Sequence, residues 1–479
     1  MKGYVLTPGS IVDRMVERLF RDRPPIPSDR ILDPGSGEGE FEAGIVRWCE
    51  ARSLPTPNVL GVELDPKRIA KAKVRFLADQ SIRYWNRNFL LSTPGRFDYV
   101  IGNPPYVPIT GLNQNEKELY RPLFRSAVER FDLYTLFFEK SLTLLDKGGR
   151  LCLITPEKFE YVHSAAPLRR FLDDFTVDEI DHLDESSFPG LVTYPTITLV
   201  RHGAPAPSLR TLVRLRDGKE LRVQLPRGGA PWSPSFHPID GTPRLGPVLI
   251  DVCERVSCGI ATGADSLFVH RWVDLPASLN NFAYPTVSGR QLGLSSSMPI
   301  PNSSAMLVPY ARDGRLLAEN ELGDLLTFLS RPDNQRHLKD RTCVTGKSQV
   351  WYKFHDNAPL SEILRPKILC KDITAGPRFW ADREGIVVPR HTVYYIVPRE
   401  GVPFDSLLEY LNGEDASAWL RAHCQRAANG FYRLQSAALK RLPIPDFLAK
   451  GVVPVKKRNA SRVGKSRRHG RGRQTILAA

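Results

Sequence analysis

At 479 residues the chain exceeds what one hydrophobic core holds, so two or three domains are expected. Hydrophobic residues make up 42% and charged residues 25%, no apolar run approaches the ~18 residues of a membrane span, and the start has no apolar signal-peptide stretch, so neither a membrane span nor a secretion signal is expected. The net charge of +15 favours a polyanionic partner, while seven scattered cysteines without a Cys-x-x-Cys pair argue against a disulfide framework or zinc site and for a reducing cytoplasm.

The first two hundred residues alternate between strand and helix patterns. Arg30–Asp33 reads as a short apolar strand running into Pro34-Gly35-Ser36-Gly37-Glu38-Gly39-Glu40-Phe41. The helix after it carries Phe41, Ile45, Val46 and Cys49 on one face. Val59–Glu63 is a second strand, ended by Leu64-Asp65-Pro66, and the next helix carries Ile69, Ala72, Val74 and Leu77. Phe97–Gly102 is a later strand. A helix opens at Leu133–Phe138 and is expected to run through Leu145, with Gly148-Gly149 stopping it ahead of a buried strand, Arg150–Thr155. This alternation predicts an α/β fold with a doubly wound, mostly parallel sheet.

Two turns at strand ends carry chemistry, because ligands of open α/β sheets bind beyond the carboxyl ends of the strands. The turn with Gly35, Gly37 and Gly39 permits close backbone approach, but its spacing is not that of a dinucleotide fingerprint and no phosphate-loop Lys follows. Glu38 and Glu40 would repel a pyrophosphate. Asp33 suits a cation, and Glu63 is placed to accept the hydroxyls of a ribose. A ligand with a ribose and a positive charge but no phosphate fits, and S-adenosylmethionine is such a ligand. The second turn is Asn103-Pro104-Pro105-Tyr106. Its prolines fix the backbone and remove two donors, leaving the Asn103 side-chain oxygen and the Pro104 carbonyl as paired acceptors for an amino group. Tyr106 offers a face for a planar ring. Taken alone, the tetrapeptide is equally an ordinary Pro-rich turn.

With these motifs in this order, the chain resembles the γ-class DNA adenine-N6 methyltransferases, modification enzymes of the type II restriction-modification kind. Tyr4-Val5-Leu6-Thr7-Pro8 resembles their N-terminal motif, which implies that Thr7 contacts the methionine end of S-adenosylmethionine. Leu32–Gly39 resembles the glycine-rich cofactor loop, with Asp33, Gly35 and Gly37. Gly61–Pro66 resembles the ribose motif, with Glu63 and Leu64. Asn88-Phe89 stands where the family has Asp-Phe against the cofactor adenine, so Asn88 departs from the pattern. Asn103-Pro104-Pro105-Tyr106 matches the catalytic motif. Ser187-Phe188-Pro189-Gly190 resembles the motif whose aromatic holds the target base from the other side, which implies Phe188, with Tyr194 as the alternative.

The resemblance implies a Rossmann-like sheet of the class I kind and a second, mixed α/β target-recognition domain. The expected boundaries are a catalytic domain over 1–202, a Pro/Gly-rich connector with a small β element (Thr211–Leu215) over 203–246, the recognition domain over 247–446 and a tail over 447–479. Val256–Asp265 resembles the opening of that second domain, Leu407–Asn412 its closing helix and Leu439–Pro445 its exit strand. Lys347–Lys353 and Arg378-Phe379-Trp380 are candidate clusters for reading bases. From Lys456 to Arg473 the tail carries nine positive charges, and it reads as disordered, either a solubilising segment or a phosphate-binding arm.

The implied reaction swings an adenine out of double-stranded DNA and stacks it on Tyr106 and Phe188, with its amine held by Asn103 and Pro104. It is a direct displacement that needs alignment and no catalytic Cys, His or metal. Cys152 and His163 read as core and loop residues. The expected setting is a monomer in a bacterial cytoplasm, with any cognate restriction endonuclease on a separate chain. RNA adenine methylation, protein glutamine methylation and a catalytically silent DNA-binding module are the rival functions. The large second domain and the intact tetrapeptide weigh against the last two.

Overall fold

The structure, a computed structural model, describes residues 3, 5–188, 194–236, 246–293, 303–341, 344, 350–427 and 430–450. Tyr4, Pro189, Gly190, the cluster from Lys347 to Gln349 and the basic residues after 450 lie outside the described residues. No helix among the described residues is long and apolar enough to cross a membrane.

Nine strands form the main sheet: β1 (Arg30–Asp33), β2 (Asn58–Glu63), β3 (Ile82–Asn86), β4 (Phe97–Gly102), β5 (Leu145–Pro156), β6 (Thr176–His182), β7 (Pro195–Arg201), β8 (Thr211–Arg214) and β9 (Glu220–Val223). Their order is β3-β2-β1-β4-β5-β7-β6-β8-β9. The β3-β2-β1-β4-β5 half is parallel, and β7 runs antiparallel between β5 and β6. The central strands β1, β4 and β5 carry apolar residues on both faces, because both are covered, whereas the edge strand β3 is largely exposed. Ile31, Tyr99, Ile101, Cys152 and Ile154 pack against α1 (Gly9–Phe20) and α2 (Glu40–Glu50). Leu32, Val100, Leu151 and Leu153 face the opposite core, which includes α5 (Leu133–Thr143) and α6 (Ala166–Leu172). The shorter helices α3 (Pro66–Arg75) and α4 (Gln114–Tyr120) complete the N-terminal half.

Several expectations shift. In α3 only Ile69 and Ala72 are buried; Val74 is 76% exposed and Leu77, beyond the helix end, 86%. The helix packs on the sheet edge, so one turn of apolar contact suffices. Helix α5 ends at Thr143, and Gly148-Gly149 lie inside β5 rather than stopping a helix. A Cβ on Gly149 would stand 2.9 Å from the Asp146 carbonyl and 3.0 Å from that of Asp98, so glycine lets β5 bulge against β4, where the register jumps between Phe97 and Tyr99. The strands at 211–214 and 220–223 are no connector element, since β8 pairs in parallel with β6 and carries the sheet outward to β9. Leu448 is fully buried at the end of the second domain's core, so the folded chain runs past 446.

The second domain holds two four-stranded sheets. In the first, strands 253–258, 393–398, 367–371 and 379–382 are all antiparallel; the second is built from strands 269–271, 304–307, 283–287 and 388–389. The closing helix appears at Phe404–Asn412. The expected exit strand is instead a short helix, Ser436–Lys440, followed by a single bridge between Pro443 and Val248. Phe379 and Trp380 are core residues, 3% and 2% exposed, so their rings fill the domain rather than face a groove.

Candidate active site

The glycine-rich turn leaves β1 and enters α2 through Gly37 and Gly39, both with positive φ (56° and 89°). The Ser36 N–H bonds to the Val62 carbonyl at 3.1 Å, which ties the turn to β2. At the tip of β2, Glu63 accepts the Gly37 N–H at 3.1 Å on one carboxylate oxygen and the Asp65 N–H at 2.8 Å on the other. Each oxygen keeps a lone pair for a further donor. Asp65 then caps α3 by accepting the Lys67 N–H at 2.9 Å, with Pro66 in the first helical position.

The tetrapeptide Asn103-Pro104-Pro105-Tyr106 follows β4, next to β1. The Asn103 amide nitrogen donates to Thr7 Oγ1 at 3.0 Å and to the Val5 carbonyl at 3.3 Å. That fixes the other end of the amide: Asn103 Oδ1 is buried and has no partner. The Tyr106 N–H bonds to the Gly3 carbonyl at 3.1 Å, so the N-terminal segment is stitched along the turn at two points. The Tyr106 hydroxyl donates to the Ile154 carbonyl at 3.2 Å, and its ring meets Tyr134 edge-on with centroids 6.3 Å apart. Burial pushes the Tyr106 phenol well above its usual range, so it stays a donor.

A cavity of about 340 Å³ joins the two turns. Gly35, Glu63, Leu64, Asn88 and Phe89 line it together with Asn103 and Pro105. The structure thus brings five of the eight expected cofactor residues to the tetrapeptide. Thr7 does not line the cavity; its hydroxyl accepts the Asn103 amide N–H at 3.0 Å. Asp33 lies beneath the turn, accepting the Gly35 N–H at 3.1 Å, and Gly37 meets Glu63. The cavity suits a ribose-bearing ligand with a flat ring: Glu63 offers acceptors, Val62, Phe89 and Phe137 give an apolar floor, and the charges of the lining are balanced, Arg68 and Arg87 against Glu63 and Glu116. Asn88 is committed elsewhere, its oxygen accepting the Leu90 N–H and its nitrogen donating to the Tyr120 hydroxyl, both at 3.0 Å. Sequence reasoning missed Tyr120, Arg68 and Phe137, which carry no motif; α4 and α5 deliver the two rings.

Phe188 is not brought to this cavity. It is 3% exposed and packs in the core beneath α1. Tyr194 points at the second domain: its hydroxyl accepts the Gly430 N–H at 2.7 Å and donates to the Ala427 carbonyl, while Arg216 lies over its ring. A second cavity of about 310 Å³ opens there, lined by Glu157, His182 and Tyr194 from the main sheet and Arg421 and Arg426 from the second domain. Beside it the fully buried Glu160 pairs with His182 at 2.8 Å.

The Eco57I restriction-modification methylase model matches residues 58–188, and the TaqI-like C-terminal specificity domain model matches residues 329–444. The chain is 25% identical to the type II methyltransferase M.PaeR7I of Pseudomonas aeruginosa over 93% of its own length and 86% of the relative's. It is also 25% identical to the type II methyltransferase M.XhoI of Xanthomonas vasicola, over 77% and 73%. In fold it is similar to the type IIL restriction-modification enzyme MmeI, solved in complex with DNA, with a TM-score of 0.65 and 13% identity over 91% of this chain and 67% of that one.

Proposed function

We propose, from the premise that this chain belongs to the type II restriction-modification methyltransferases, that it moves a methyl group from S-adenosylmethionine to the N6 amine of an adenine swung out of double-stranded DNA. One observation carries the adenine reading. Asn103 Oδ1 is a buried acceptor with no donor, held in that orientation by Thr7 and Val5, on the wall of the cavity that also holds Glu63. An acceptor stranded in this way costs about 1–3 kcal/mol until a donor arrives. An exocyclic amine brings two hydrogens, one for Asn103 and one for the Pro104 carbonyl.

When bound, S-adenosylmethionine supplies an electrophilic sulfonium methyl. The chain's own residues do the rest. Glu63 holds the ribose, and Gly35 lets the backbone approach. Asn103 and Pro104 draw the amine away from planarity and stabilise the positive charge that grows on it. Tyr106, fixed at its hydroxyl by Ile154, carries the base on its face. The second domain reads the sequence around the target. On this reading the enzyme works as a monomer in the bacterial cytoplasm and any cognate nuclease is a separate protein.

The test is transfer of labelled methyl from S-adenosylmethionine to duplex DNA, with the modified base identified after digestion. Asn103→Ala should abolish transfer while cofactor binding persists. Label on cytosine, on RNA alone or on protein would overturn the reading.

A further inference from the structure

Asp33 on β1, Gly61 on β2 and Tyr84 on β3 are register partners across three adjacent strands, so their side-chain positions lie on one face of the sheet. Gly61 has no side chain, and Glu42 of α2 fills the gap. A Cβ on Gly61 would stand 2.6 Å from Glu42 Oε1 and 2.7 Å from the Tyr84 ring. Gly39 leaves room from above, since a Cβ there would stand 2.9 Å from the Tyr84 hydroxyl. Two glycines thus make space for a carboxyl group between an aspartate and a tyrosine.

Asp33 and Glu42 are both 0% exposed. Asp33 Oδ1 accepts the Gly35 N–H, but Asp33 Oδ2, both Glu42 oxygens and the Tyr84 hydroxyl have no partner. Two unpaired buried carboxylates would each cost several kcal/mol in this setting, so protons are retained there. The charges facing the group are few. Glu63 at the end of β2 adds a negative charge. On α2 and α3, Glu40 and Arg75 neutralise each other at 2.7 Å nearer the surface. On the β4 side stands Gly102, whose Cβ would be 2.8 Å from Asp33 Oδ1. The nearby cation, Arg75, is therefore already committed.

We propose that the Asp33–Glu42 pair gives up one proton to solvent when the cationic cofactor enters the adjoining cavity, which makes Glu42 a positioning residue that acts through Asp33. The proposal rests on S-adenosylmethionine being the cofactor. Pro34 and Gly35 of the cavity wall follow Asp33 directly in the chain, so the pair lies one residue behind that wall, close enough for its charge to be felt in the cavity. Burial, reinforced by Glu63 and opposed by the Gly35 N–H, lifts the Asp33 carboxyl to about 8, and burial and Asp33 together hold Glu42 well above the carboxylate range. Below about 8 the apo pair is protonated. A cation favours the ionised form, so its affinity rises with pH until the apo pair ionises by itself.

Calorimetric titration of the full chain with S-adenosylmethionine, in buffers of different ionisation enthalpy, counts the protons. The wild type should release close to one proton at pH 7, and its Kd should fall about tenfold from pH 6 to pH 7. Glu42→Gln removes the like charge and gives Asp33 a donor; it should bind with almost no proton release and a flat profile. Glu42→Leu, which fills the same gap without a polar atom, should likewise change the proton count, and it serves if the glutamine variant does not fold. A wild type that releases no proton, or variants that match its count, would overturn the proposal. Absence of any binding would instead overturn the cofactor assignment.

Discussion

Thr7 and Asn103 lie 96 positions apart in the chain and are joined by one hydrogen bond of 3.0 Å, from the asparagine amide nitrogen to the threonine hydroxyl. That bond decides which way round the Asn103 amide sits, with its nitrogen on Thr7 and its oxygen left without a partner. Thr7→Val keeps the shape and removes the acceptor. A single neutral hydrogen bond is worth about 0.5–1.5 kcal/mol, so the methyl-transfer rate should fall about three- to tenfold with the cofactor Kd unchanged. Thr7→Ser should retain the rate. Single-turnover kinetics and a cofactor titration check this; a raised Kd with an unchanged rate would return Thr7 to the cofactor role that the sequence implied.

The two expected stacking rings differ in what they give up. Tyr106 is half-buried and already fixed by its hydroxyl. Phe188 has to leave a closed core to reach a base. Exposing a Phe side chain costs about 1.5–3 kcal/mol, which cancels the ~1–3 kcal/mol of a base–aromatic stack. Tyr106→Ala should therefore weaken base flipping far more than Phe188→Ala, as seen in the fluorescence gain of 2-aminopurine at the target position. Phe188→Ala should show mainly as lost stability, about 3–5 kcal/mol by denaturant titration. An equal loss of signal in both variants would mean that Phe188 moves.

Asn88 replaces an acidic residue of the resembled family, and the structure shows the consequence. Its oxygen accepts the Leu90 N–H and its nitrogen donates to the Tyr120 hydroxyl, so the amide is engaged at both ends, and on the proposed function it lacks the second carboxylate oxygen that could accept from the cofactor's amine. Asn88→Asp keeps the cap and adds an acceptor. Cofactor Kd should drop about three- to tenfold, the worth of one hydrogen bond. A weaker Kd would show that the Tyr120 contact matters more.

The catalytic half was legible because its signals are local. A strand end, a glycine-rich turn and an acidic residue at the next strand tip are all written within forty residues, and Glu63 and Asn103 do share a cavity. What escaped depends on distant neighbours. Gly148-Gly149 has the local signature of a helix stop, yet its use is set by the Asp98 carbonyl on β4. Strand β8 reads as an isolated element until β6 is seen beside it. Tyr120 and Phe137 reach the cavity through the packing of α4 and α5, which no motif encodes. In the second domain, Arg378-Phe379-Trp380 has the composition of a nucleic-acid surface, but its two rings are what the sheet folds around.

Tyr194 is the point where the two domains meet by a side chain of identified chemistry. It sits at the start of the segment into β7, with its carbonyl accepting the Glu157 N–H at 2.8 Å and its hydroxyl bonded to Gly430 and Ala427 across the boundary. Glu157 in turn binds Arg216, which covers the Tyr194 ring. A contact in the second domain is thus two bonds from the end of β5, the strand whose Ile154 carbonyl fixes Tyr106. Tyr194→Phe keeps the ring and its cation partner but strands the Gly430 N–H. The expected result is a raised KM for DNA with cofactor Kd unchanged, and a thermal unfolding curve that broadens or splits as the domains uncouple. Tyr194→Phe with wild-type DNA kinetics and a single sharp transition would mean that the domains are held by the helix contacts between 233–236 and 414–423 instead.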